Sequence, residues 1–201
     1  MPYDSPRRRE QAAETRRRIV GAARRLFAAR GFSVTTVAEL AQEAGVASQT
    51  VYAVFGGKRG LIGALVDLID EESDVPALAS RAMRSTDPDE VLALAVRIPR
   101  SIVERSGDLI AALASAAAID EAAAAALGSG RARHDRGIAR TVGRLGELHA
   151  LRPGVDPAEG AAVFATLTSD ETFRHLVERH AWDLDACEAW MRETLATLYL
   201  R

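Results

Sequence analysis

Cysteine, lysine and aromatic residues are all scarce in this chain, and each scarcity narrows what it can be. Among 201 residues there is one cysteine, Cys187, which excludes an internal disulfide and gives no metal-binding spacing, so an inert buried thiol is expected. Lysine occurs once, as Lys58, against twenty-five arginines, which sets that position apart from ordinary basic surface. Aromatics make up 5% of the composition and none lies between Phe55 and Phe164. The middle of the chain must therefore pack through Ala, Leu, Ile and Val, or else enclose an aliphatic cavity. No apolar run is long enough to span a bilayer: the longest, Leu109 to Ile119, contains Ser115 and stops at Asp120. The opening MPYDSPRRR holds no apolar signal segment, so a cytoplasmic protein with no membrane partner is expected. Also missing are a glycine-rich phosphate loop, a Ser-His-Asp set and a cluster with metal-ligand spacing, which argues against an enzyme, a cofactor or a metal.

What is present is helical. Hydrophobic residues make up 48% of the chain, alanine is abundant, and no stretch sustains the period-two alternation of a half-buried strand. The expected fold class is all-α with about nine to ten helices. An arm and a three-helix domain of helix-turn-helix type are expected over residues 1–56, a connecting helix over 57–73, and a second helical domain over 74–201. That connecting helix should start at Gly57 or Lys58 and end near Asp70. Ser85 to Pro88 marks a break, a helix kinked by Pro99 should run to about Arg105, and Gly107-Asp108 should open another that ends near Ile119. A helix of about thirty residues should then reach His149. Charge is uneven: residues 1–60 carry eleven Arg plus Lys against five Asp plus Glu, and residues 61–201 carry fifteen against twenty-three. Arg7 to Arg9, expected in a flexible arm, and Arg16 to Arg18, in the first helix, suit phosphate attraction by counterion release. The second triplet reads equally as solvated helix surface.

The segment Thr36 to Lys58, TVAELAQEAGVASQTVYAVFGGK, holds the densest local signals. Thr36 and Glu39 have the capping-box spacing, so a helix should start there. Val37, Leu40 and Ala41 give it one apolar face, and Gly45 can supply the left-handed residue that ends it. In the next short helix Val51 and Phe55 should point inward, leaving Gln49, Thr50 and Ala53 outward with Ser48 and Tyr52 at the edge. Such a small polar face suits the major groove, where Gln pairs bidentately with adenine, while Tyr52 and Lys58 are placed for phosphate. An ordinary helical hairpin of a bundle has the same outline.

From Thr15 to about Asp67 the sequence resembles the DNA-binding head of the tetracycline-repressor (TetR-like) family of bacterial transcription regulators. Phe27 and Gly31-Phe32 close the first helix of that pattern, and Thr36, Ala41, Gly45-Val46, Thr50, Tyr52, Phe55, Lys58 and Leu61 fall at its signature positions. Ala47 and Gly57 depart from it, standing where serines often cap helices; losing such a hydroxyl costs about 1 kcal/mol, less where glycine substitutes. The resemblance implies a homodimeric, sequence-specific regulator of double-stranded operator DNA, a repressor released by a small, largely apolar effector. Its candidate DNA-binding residues are Thr36, Ser48, Gln49, Thr50, Tyr52, Lys58, Arg16 and Arg17. Two alternatives stay open: a DNA-binding protein of this fold governed by a protein partner, and a helical-bundle enzyme.

In the body, Ile138, Val142 and Leu145 form an apolar stripe, with His134 and His149 four residues beyond its ends. The resemblance places an effector among these central helices, with Ile98, Ile102, Leu113, His134, Ile138 and Phe164 as candidate lining, ordinary core being the competing reading. Arg97 and Arg100 are placed to meet an acidic ligand or water. His175 and His180, five apart, share no α-helical face and are expected on the surface. Asp170 and Glu171 suit the first turn of a helix after Ser169. The tail from Asp156 to Leu200 resembles a dimerisation end, with Ala161, Ala165, Trp190, Met191, Leu195 and Leu198 as candidate interface; sealing of the chain's own core competes.

Overall fold

Apolar residues at helical spacing, punctuated by residues that stop helices, lay out an all-α chain. The computed structural model describes residues 6–201; the arm residues before Pro6 lie outside the described residues. In order the helices are α1 (Pro6–Arg30), α2 (Val37–Ala44), α3 (Ser48–Phe55), α4 (Leu61–Glu72) and α5 (Val75–Arg84). Then come α6 (Pro88–Ala117), α7 (Glu121–Glu147), α8 (Pro157–Leu167), α9 (Asp170–Arg174), a π-helical turn (His175–Arg179) and α10 (Leu184–Tyr199). The described residues contain no strand, only an isolated antiparallel bridge between Leu151 and Leu200.

The chain divides into two compact units. Unit 1 takes the sequence to Leu68 together with Asp108–Gly128, and unit 2 takes Ile69–Gly107 with Ser129–Arg201. Compactness thus groups part of α6 and α7 with the head. Ile19, Phe27, Leu40, Val51, Leu61, Leu65, Leu109 and Leu113 are buried in unit 1. Unit 2 contains an apolar cluster built from Val91, Val96, Ile138, Leu145, Phe164, Phe173, Met191 and Leu195 among others.

Several helix limits differ from the sequence expectation. Arg7 to Arg9 are helical, not a flexible arm, because α1 begins at Pro6, and proline suits a helix start where its missing N–H is not needed. Gly107-Asp108 opens no new helix: α6 runs unbroken through it, with Pro99 inside. A helical glycine costs about 1 kcal/mol, whereas burying a Leu or Ile side chain contributes about 1.5–3 kcal/mol; with Leu109 and Ile110 buried just beyond Gly107, burial wins. The fourth helix starts only at Leu61, since Gly56 and Gly57 take φ of 70° and 123° and Lys58–Gly60 form a turn closed by the Leu61 N–H donating to the Lys58 carbonyl at 3.2 Å. At the other end of α7, His149 takes φ 53° and is exposed, so it follows the helix as a left-handed residue instead of bordering the interior.

Candidate nucleic-acid interface

Helix α2 is fixed at both ends by its own sequence. The Thr36 hydroxyl accepts from the Glu39 N–H at 3.2 Å and the Thr36 N–H donates to the Glu39 carboxylate at 2.8 Å, both arms of the capping box. The Thr36 N–H bond to that carboxylate first, and then the Thr36 hydroxyl donating to it at 2.9 Å, pull the Glu39 pKa below the ordinary carboxylate value. At the far end Gly45 sits at φ 63°, with its N–H donating to Gln42 O at 3.1 Å and the Val46 N–H to Ala41 O at 2.9 Å. That 6→1 and 5→2 pair is a Schellman stop. Arg18 of α1 completes it, donating to the free carbonyls of Ala44 at 2.6 Å and Gly45 at 3.0 Å. A basic triplet read from sequence as phosphate-directed thus spends its third member on a helix C-terminus, where a cation belongs.

Helix α3 turns Val51 into the core and leaves Ser48, Gln49, Tyr52 and Ala53 exposed, with Thr50 half-buried. Its N-cap, Ala47, makes no side-chain capping bond, so the weak start expected there is present. Phe55 is half-buried beneath the guanidinium of Arg16, whose carbon lies 4.6 Å from the ring centroid. That contact ties α1 to α3 while Arg16 remains exposed. Arg17 pairs with Glu14 at 2.5 Å on the α1 surface, which offsets its charge.

Lys58, expected at phosphate, is held by partners within the head. Its ammonium donates to the carbonyls of Phe32 at 2.8 Å, Thr35 at 3.0 Å and Ser33 at 3.2 Å, and lies 4.4 Å from the Phe32 ring centroid. An ammonium has three donors, and all three are committed. Burial lowers its pKa, opposed by the nearby Asp120 carboxylate. Asp120 itself accepts from Arg59 at 3.0 Å, and Arg24 pairs with Asp108 at 3.1 Å, both inside unit 1.

In unit 2, Ile138 and Phe164 belong to the apolar cluster, and His134 is half-buried with Nε2 3.2 Å from Ala165 O and 3.3 Å from Thr168 Oγ1. Ile98 and Ile102 are half-buried on α6 in unit 2, whereas Leu113 is buried in unit 1. Arg97 and Arg100 are not left for an acidic ligand. Arg97 pairs with Glu188 at 2.9 Å, and the buried Arg100 pairs with Asp185 at 2.5 Å, Glu188 at 2.9 Å and Glu104 at 3.1 Å. Met191 and Leu195, expected to face a second copy, are fully buried within the single chain. With Cys187 they repeat every four residues, the inward stripe of α10. Val163 and Leu198 are exposed instead, and Ala161, Ala165 and Trp190 are half-buried. Trp190 packs edge-on against Trp182, ring centroids 5.9 Å apart.

Sequence reasoning missed the role of Arg18 at the end of α2, and it missed the buried Thr35, whose hydroxyl donates to Gly31 O at 2.8 Å. Their partners are backbone carbonyls, which carry no residue signature.

Residues 19–65 match the family model described as bacterial regulatory proteins, tetR family. The HTH-type transcriptional regulator TtgR of Pseudomonas putida is 42% identical over 82 residues, which cover 41% of this chain and 39% of that protein's length. Among solved structures, NalD, the secondary repressor of the MexAB-OprM multidrug efflux pump in Pseudomonas aeruginosa, has a TM-score of 0.74 at 22% identity, covering 96% of this chain and 98% of that one. A SmeT–triclosan complex has a TM-score of 0.74 at 22% identity, covering 93% of this chain and 92% of that one. At such identities the two structures are likenesses of fold.

Proposed function

We propose, for a chain whose N-terminal region belongs to the tetR family of bacterial regulatory proteins, that it is a sequence-specific DNA-binding transcription regulator of the cytoplasm. The observation that carries this is α3: a short helix, buried by Val51, that presents Ser48, Gln49 and Tyr52 to solvent after a Schellman turn. Gln49 and Thr50 would meet base edges, and Ser48, Tyr52, Arg16, Arg17 and the α2 start at Thr36 would meet the backbone. Lys58 holds this surface in shape.

A dimer places two recognition helices on successive major grooves. Val163, Leu198, Ala161, Ala165 and Trp190 are the surface offered for it, helices α8 and α10 pairing with the same helices of a second copy. The regulator acts as a repressor, and a small, largely apolar effector releases it by binding the DNA-free state more tightly than the DNA-bound one. The SmeT–triclosan complex supports an effector of that kind, as does a body without aromatics between Phe55 and Phe164. Ile98, Ile102, His134, Ile138 and Phe164 are the proposed lining.

Gel shift on the DNA flanking its own gene, followed by selection from a random pool, tests the reading. One enriched, near-palindromic sequence is expected; no enrichment in either would refute it.

A further inference from the structure

His175 and His180 meet on the surface of unit 2 although five residues separate them. In an α-helix that spacing puts side chains on different faces. The π-helical turn His175–Arg179, which continues α9, has an i to i+5 repeat and returns them to one side. Their Nε2 atoms are 3.3 Å apart, and their ring centroids are 5.1 Å apart at an interplanar angle of 63°. The backbone behind them is fixed: the N–H groups of His180 and Trp182 both donate to the Leu176 carbonyl, the second at 3.2 Å, and Ala181 between them is held at φ 56°. A residue with a Cβ resists that left-handed conformation, and π turns are rare. The chain keeps this arrangement against its local preferences, a pattern that gathers at functional sites.

Two imidazoles so placed have a specific chemistry. With one ring nitrogen protonated the pair is within reach of a single hydrogen bond, and with both deprotonated the two lone pairs are free to share a cation. In tetrahedral zinc, bonds of about 2.0–2.1 Å put two ligand nitrogens about 3.3–3.4 Å apart. The separation found matches that spacing, and both rings are exposed, so a cation reaches them from solvent. Among the described residues no group of three or more His, Cys, Asp or Glu could hold a metal.

We propose that His175 and His180 form a two-histidine site for a late first-row divalent cation of the zinc type, with water filling the remaining positions. Nitrogen ligands favour Zn²⁺, Ni²⁺ and Cu²⁺ over Mg²⁺ or Ca²⁺. The site is independent of the DNA-reading surface and stands or falls apart from it.

Equilibrium dialysis of the untagged chain against zinc chloride tests this, using the wild type, His175→Ala, His180→Ala and His149→Ala, the last an exposed histidine outside the pair. The wild type and His149→Ala are expected to take up a single zinc per chain that both pair variants lose, with circular dichroism unchanged throughout. Equal uptake by all four proteins, or uptake by none, would overturn the proposal. In histidine NMR spectra of the wild type, zinc should shift the His175 and His180 rings together; a shift of either one alone would also overturn it.

Discussion

The ammonium of Lys58 stands 4.4 Å from the ring of Phe32 and donates to the carbonyl of that same residue at 2.8 Å. Cation–ring contact and hydrogen bond converge on one residue 26 positions away in sequence, and they close the α1–α2 connection against the turn before α4. A charge so held acts on the shape of the head.

Lys58→Ala should therefore destabilise the protein by about 1.5–3 kcal/mol, the range for hydrogen bonds made by a charged group. Chemical unfolding measures this. Binding in gel shifts should weaken with an unchanged salt dependence, whereas loss of a phosphate contact would lower the slope of log K against log salt by about 0.9.

Gly45→Ala should cost about 1–2 kcal/mol, because alanine resists the left-handed conformation found there. A Cβ at Gly45 would also stand 2.5 Å from the Arg18 guanidinium, forcing that side chain off the α2 carbonyls. Combining Arg18→Ala with Gly45→Ala should cost less than the sum of the two single changes in urea unfolding, since the clash disappears.

Ala47→Ser should stabilise the protein by about 1 kcal/mol through the missing N-cap bond, the backbone at residue 47 being extended already. Hydrogen exchange across Ser48 to Phe55 should slow in the variant. No slowing would mean that the start of α3 is held by packing alone.

Gln49→Ala should change which sequences a random pool enriches, by about 1–3 kcal/mol at one base pair of each half-site. Arg16→Ala should weaken binding to all sequences alike and also loosen Phe55, which can be followed as a lower unfolding midpoint. The reverse pattern of effects would refute the assignment of base and backbone roles.

The Asp170 carboxyl is pushed up to about 6, first by burial and then by its hydrogen bond with Glu171 and the charge of Glu171, with Arg174 and Arg131 opposing. The folded chain thus keeps a proton between the ordinary 3.8 and about 6 that the unfolded chain releases. Stability contributed by Asp170 is full below that window and is lost as pH rises through it. Asp170→Asn should then stabilise by about 1 kcal/mol at alkaline pH, a figure discounted because the side chain is partly in solvent, with the gain vanishing under acid conditions. Unfolding midpoints across pH measure it.

Features set by short stretches of chain were readable from sequence: the Thr36–Glu39 box, the Gly45 stop and the inward turn of Val51 all rest on neighbours within a few residues. Features set by distant or backbone partners were not. The carbonyls of Phe32, Ser33 and Thr35 give no hint that Lys58 will reach them. Which stripe of α10 faces inward depends on α6, α7 and α8 around it, so Met191 and Leu195 could not be told from Trp190 and Leu198 by hydrophobicity. A π turn changes the repeat that any helical wheel assumes, and so His175 and His180 came together unforeseen.

The two tryptophans of the chain, Trp182 and Trp190, sit edge to face in unit 2, and no other indole is present anywhere in the sequence. Intrinsic tryptophan emission therefore watches a single neighbourhood. A compound that alters it is being sensed in unit 2, while a change on adding DNA would show that an event in unit 1 is felt in unit 2.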